Sequence, residues 1–204
     1  FRADCQRPAY WVPNVHLTFN IEEGTTQVTS ELTVTRNTEH QEGLPLELDG
    51  EDLELLSINI DGVELTPDQY LRPEGEKGGV VIPFKFLPEK DSFKVTSTTK
   101  VAPEENTSLS GLYRSSGMWC TQCEAEGFRR ITLFPDRPDV MAKFSVRIEA
   151  PENFPVMLSN GNLLSSGSLG NGRSFAEWED PFPKPSYLFA LVVGDLGKID
   201  DKFT

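Results

Sequence analysis

The chain has 204 residues, 37% hydrophobic and 25% charged, enough for one large β domain or two small ones around a sizeable core. Its 32 acids against 19 bases leave a net charge of −13, which repels phosphate backbones and anionic lipid and argues against nucleic-acid or membrane-surface binding. A cationic ligand stays compatible with that charge, though a solvated acidic surface is the plainer reading.

In chain order, the sequence opens at Phe1 with neither a methionine nor a signal-peptide pattern, the mark expected of an excised piece. The dominant period is then two. Val15, Leu17, Phe19 and Ile21 alternate with polar residues, as do Val28, Leu32 and Val34. Leu44, Leu46 and Leu48 follow, then Leu56, Ile58 and Ile60, then Phe93, Val95 and Val101, and later Phe144, Val146, Ile148 and Ala150. Each run predicts a strand with one face buried. Turn residues punctuate the runs at 22–24, 49–50, 61–62, 74–79 and 159–162. The stretch 72–79 (RPEGEKGG) reads as a mobile hairpin tip. The longest apolar run, YLFALVVG at 187–194, suits a buried strand and is far short of the ~18 residues a membrane span needs. Nothing has the pattern of a three-turn amphipathic helix; only Glu124–Arg130 and Pro138–Lys143 have room for a turn or two. The expected fold is all-β, an antiparallel sandwich or saddle forming a single domain over residues 1–204.

Chemistry is sparse. Cys120 and Cys123 have zinc-knuckle spacing, but the remaining candidate ligands, Cys5, His16 and His40, stand singly, with no second CxxC and no HxxxH. A redox CxxC needs a strand-to-helix junction in a βαβ unit, which is absent. Both cysteines therefore read as small hydrophobes, and three thiols point to a reducing compartment. No GxSxG, GxGxxG or P-loop pattern occurs, and His16 reads as an exposed strand residue. These residues alone make no case for an enzyme and favour a non-catalytic β-sandwich binding or adhesion module.

One segment says more. CTQCEAEGFRR at 120–130, followed by LFPDRPDVMAKF at 133–144, resembles the bacterial aminopeptidase N branch of the M1-type (gluzincin) zinc aminopeptidases. That family carries Gln-x-Glu, Arg, Asp-x-Pro and Ala-x-Phe in order, here Gln122 and Glu124, Arg129, Asp136 and Pro138, then Ala142 and Phe144. SLSGLYRSSG at 108–117, LSNGNLL at 158–164 and DPFPKPSYLFALVVGDL at 180–196 extend the resemblance over most of the chain. Many members have Asp-Ala-Arg where this chain has Gly127-Phe128-Arg129, a departure that points to the bacterial branch.

The resemblance implies an N-terminal β domain whose Gln122 and Glu124 anchor the free α-amine of a peptide, with Arg129 holding the loop. The two anchors stand two apart, so in extended chain they project to one side. Glu126 has the same parity and is expected to be merely solvated. The family's zinc, held by HExxH and a further Glu in a catalytic domain that follows, has no ligands here. The resemblance thus implies a cytoplasmic bacterial enzyme whose front domain alone is inactive and binds no zinc. Its expected partners are the peptide's N-terminus and its own catalytic domain. Docking of that domain predicts that some of Trp119, Phe128, Leu133, Phe134 and Pro135 are exposed.

Overall fold

The computed structural model describes residues 6–40, 43–73 and 78–202. The alternating runs become strands. They are β1 (Tyr10–Glu22), β2 (Thr25–Arg36), β3 (Leu46–Glu51), β4 (Glu54–Ile60), β5 (Val63–Glu64), β6 (Gly78–Ile82) and β7 (Ser92–Val101). Then come β8 (Gly111–Ser115), β9 (Met118–Gln122), β10 (Met141–Pro151), β11 (Val156–Ser159), β12 (Asn162–Gly170), β13 (Arg173–Pro185) and β14 (Leu191–Gly194). Helical structure among the described residues is confined to 3-10 turns at Phe84–Phe86, Phe128–Arg130 and Ser186–Leu188. The architecture is all-β, as the period-two pattern predicts.

Eight strands form the largest sheet, in the order β12-β13-β10-β1-β2-β7-β4-β5. A four-stranded sheet, β11-β14-β9-β8, and a pair, β3-β6, complete the fold. One strand pair departs from the antiparallel expectation: β1 and β10 run parallel from Asn14–Lys143 to Asn20–Glu149. Parallel neighbours need a crossover, and here the chain passes through both smaller sheets before β10 returns beside β1. That excursion carries the segment 120–136.

Register irregularities explain where the simple alternation fails. A bulge between Trp11 and Asn14 holds Pro13 in a central strand and switches the buried set from Tyr10 and Val12 to Val15, Leu17, Phe19 and Ile21. Another between Leu55 and Ser57 turns Leu56 outward, 46% exposed, against the expected inward phase. Asp49-Gly50 is no turn but lies inside β3, where Asp49 bridges Phe134. Leu44 precedes that strand. Pro138–Lys143 is not helical; β10 begins at Met141, and Ala142 and Phe144 are buried in strand alternation. The run 187–194 splits into a 3-10 turn and β14. Of the predicted tip at 72–79, residues 74–77 lie outside the described residues, and Gly78 starts β6.

Between the sheets sits an aromatic cluster. Phe128 meets Phe134, Phe144 and Phe189 with centroids 5.2, 5.8 and 5.3 Å apart, and Phe189 stacks on Phe19 at 5.9 Å. Each edge-to-face pair adds roughly 0.5–1.5 kcal/mol beyond burial. The cluster seats the turn after CTQCEAEG on the large sheet, and the inward Thr99 hydroxyl donates to the Ile131 carbonyl at 3.0 Å. Trp119, Phe128, Leu133, Phe134 and Pro135 are all buried, the first four at 0% exposure. That contradicts the expectation that some face a docking partner: they are large enough, and close enough to one another, to form this domain's own core.

Candidate functional site

β9 delivers Gln122 to the end of the four-stranded sheet, paired with Gly111. The next residue, Cys123, turns inward and is 1% exposed, while Gln122, Glu124 and Glu126 stay at the surface. The chain is not extended past Cys123. It folds into a turn at 124–127, with a cis Glu124–Ala125 peptide, closed by the Gly127 N–H donating to the Cys123 carbonyl at 2.9 Å. Glycine is needed at 127, since a Cβ there would lie 2.5 Å from the Gln122 carbonyl oxygen. The turn thus presents Gln122 and Glu124 on one tip. The Glu124 N–H donates to Gln122 Oε1 at 3.4 Å, a long bond that leaves the amide oxygen a second lone pair.

Beneath the tip, Arg129 is fastened on several sides. Its backbone N–H and Nε donate to Asp136 Oδ2 at 3.1 and 3.2 Å, and Nη2 donates to the Asp136 carbonyl at 3.0 Å. Glu126 Oε1 and Asp49 Oδ2 approach Nη2 at 3.6 and 3.9 Å. Burial opposes the guanidinium charge, but Asp49, Asp136 and Glu126 together outweigh it and raise the Arg129 pKa. Glu126 is therefore both solvated and in ion-pair range. Glu124 alone of the tip's acids has no side-chain partner among the described residues. Arg130, which the sequence reading did not single out, spans to Glu51 and Asp52, both at 2.5 Å, and ties the turn to the end of β3.

The buried thiol is unsuited to chemistry. Burial, reinforced by the negative charge of Asp136, pushes the Cys123 thiol up to about 12, so it is neither a ready ligand nor a nucleophile. Cys120 lies on the outward face of β9, across from Tyr113. Among the described residues no group of three His, Cys, Asp or Glu is placed to hold a metal; Cys5 lies outside them. The His16 ring shares a 2.8 Å hydrogen bond with the Ser145 hydroxyl on the neighbouring strand, and the His40 ring contacts the Arg7 carbonyl at 2.5 Å. Neither faces the tip. The donors among the described residues do not fit a zinc site.

The family model for the peptidase M1 N-terminal domain matches residues 9–188. The chain belongs to that family. Relatives of this M1 N-terminal domain include aminopeptidase N of Caulobacter vibrioides, 50% identical over 98% of the chain, and aminopeptidase N of Escherichia coli, 43% identical over 100% of it. The chain spans 22% of the length of each. Among solved structures, Legionella pneumophila aminopeptidase A in complex with aspartic acid superposes with a TM-score of 0.87 at 34% identity, over 96% of this chain and 22% of that one. A Deinococcus radiodurans M1 zinc metallopeptidase bound to a Tyr-Ser-Ala substrate shares the fold, with a TM-score of 0.75 at 19% identity over 91% of this chain and 42% of its own.

Asp49, Asp136 and Ser186, whose hydroxyl donates to Asp136 Oδ1 at 2.5 Å, are supports that the sequence reading did not assign. Asp136 sits inside a quoted motif, so its position was visible although its bonds were not. Asp49 gave no signal, because its contacts are made across 87 residues of chain.

Proposed function

We propose that this chain is one domain, the front domain of a bacterial zinc aminopeptidase acting in the cytoplasm, and that it anchors the free α-amine of a peptide. The observation that carries the reading is the tip itself: an exposed Glu124 carboxylate, with no side-chain partner among the described residues, beside the Gln122 amide on a turn locked from below. A protonated amine needs acceptors, and a carboxylate with an amide oxygen supplies them through charge-assisted hydrogen bonds. An adhesion module with no catalytic partner is disfavoured, since the relatives are aminopeptidases over the whole of this chain.

The catalytic unit, with zinc held by its own residues, would meet the outer face of the four-stranded sheet, because Gln122 ends β9 in that sheet. Tyr113, Cys120, Val192 and Leu158 are paired in one row across all four strands on that face. Leu158 of β11 and Leu188, just before β14, are 43% and 47% exposed. No helix among the described residues is long and apolar enough to cross a membrane.

The test compares the full-length enzyme with this chain alone on an amino-acid anilide, with chelation and zinc restoration. Activity in the full-length enzyme that chelation removes, and none in the isolated chain, is expected. Zinc bound to the isolated chain through Cys120 and Cys123, or a full-length protein inert on the anilide, contradicts the reading.

A further inference from the structure

We infer that Asp136 is a positioning residue for the amine-recognition tip, fixing the backbone that aims Glu124 while touching no substrate itself. The inference rests on the anchoring role proposed above. The Asp136 side chain is 1% exposed, and a carboxylate so buried is costly unless its lone pairs are used. Here they are used on the tip's own support. Oδ2 takes both the Arg129 backbone N–H and Nε, and Oδ1 takes the Ser186 hydroxyl at 2.5 Å. The Asp136 N–H donates in turn to Asp49 Oδ2 at 2.8 Å. One carboxylate thereby joins the 3-10 turn that follows the tip, the end of β13 and, through its own amide, β3.

An ion pair with the Arg129 side chain alone would be ordinary scaffolding. The bond to the Arg129 main-chain N–H is different, because it sets the path of the backbone. From Arg129 that path runs back through a closed turn: the Arg130 N–H donates to the Gly127 carbonyl at 3.1 Å, and the Gly127 N–H to the Cys123 carbonyl at 2.9 Å. These two bonds link the 3-10 turn that holds Arg129 to the turn that carries Glu124. Holding Arg129 in place also keeps Glu126 paired, 3.6 Å from Nη2, and leaves Glu124 as the free acid.

The experiment uses the full-length enzyme and a ratio that loss of folded protein does not change: the inhibition constant of an N-acetylated dipeptide amide over that of its free-amine counterpart. Glu124→Gln is expected to shrink this ratio roughly 10- to 100-fold. Asp136→Asn should shrink it by about 5-fold or more, and should add nothing when combined with Glu124→Gln, because both act through one carboxylate. Ser186→Ala removes a single donor from Asp136 and should move the ratio the same way by less; it decides the matter if Asp136→Asn does not fold. Independent effects of Asp136→Asn and Glu124→Gln, or an unchanged ratio in the Asp136 and Ser186 variants, overturns the positioning role. An unchanged ratio in Glu124→Gln overturns the anchoring role itself.

Discussion

Two layers of one short segment, the tip formed by Gln122 and residues 124–126 and the base formed by Cys123 and residues 127–136, behave as different materials. Gln122, Glu124 and Glu126 are exposed, and Glu124 has no side-chain partner among the described residues, whereas Phe128, Leu133, Phe134 and Asp136 are buried in contact with other strands. Stability and recognition are thereby separated by a few residues. Changing the tip should cost activity and leave the fold intact, and changing the base should cost the fold first.

The harshest challenge to that division is Phe128→Ala. Its ring touches three other phenylalanines at 0% exposure, so truncation should cost about 3–5 kcal/mol, a large part of the roughly 5–15 kcal/mol that holds a domain folded. Denaturant unfolding of the isolated chain measures it, and a loss below about 1 kcal/mol would break the comparison.

Cys123 extends the contrast into pH. Its folded pKa is raised to about 12 from an ordinary 9.0, so the buried thiol resists ionisation while the unfolded one does not. The stability it contributes is fully present below pH 9.0 and is lost as pH climbs toward about 12. Measured against Cys123→Ala, the wild type should lose up to roughly 1.4 kcal/mol per pH unit within that window. Parallel curves for the two proteins would place Cys123 in the tip's class instead.

Smaller effects sharpen the tip. Gln122→Ala removes a neutral amide contributing about 0.5–1.5 kcal/mol, so kcat/KM should fall roughly 2- to 10-fold with no change in unfolding midpoint. Glu126→Gln should fall within about 1 kcal/mol of wild type in both assays, since an exposed pair with Arg129 is weak. A damaging Glu126→Gln would hand the recognition role to the wrong acid.

Period-two alternation made five of the large sheet's eight strands legible (β1, β2, β4, β7 and β10), because a strand with one wet face writes its burial directly into the sequence, whereas β12, exposed along its whole length, carries no such pattern. The bulges at Trp11/Asn14 and Leu55/Ser57 were not legible: an extra residue changes phase without changing composition. The parallel β1–β10 pair was hidden too, since strand direction depends on the crossover. At the site, Gln122, Glu124 and Arg129 came from a family resemblance, and the structure places them in succession, at the end of β9, in the turn that follows and in the 3-10 turn beneath it. The aromatic residues around them misled. Trp119, Phe128 and Phe134 are as apolar as an interface would be, and only three-dimensional packing shows that they are spent on the core. Leu188, exposed instead, lies in the apolar run 187–194, where nothing in the spacing marks it as outward.

The most direct test is kcat/KM of Glu124→Gln in the full-length enzyme on an amino-acid anilide, with the unfolding midpoint of the same substitution measured in this chain. Gln keeps the shape and removes the charge that the proposed anchoring role sets against the ammonium, a bond worth roughly 1.5–3 kcal/mol. The account predicts a roughly 10- to 100-fold fall in kcat/KM with an unchanged midpoint. Full activity in Glu124→Gln, or a fall matched by a comparable loss of stability, would contradict it.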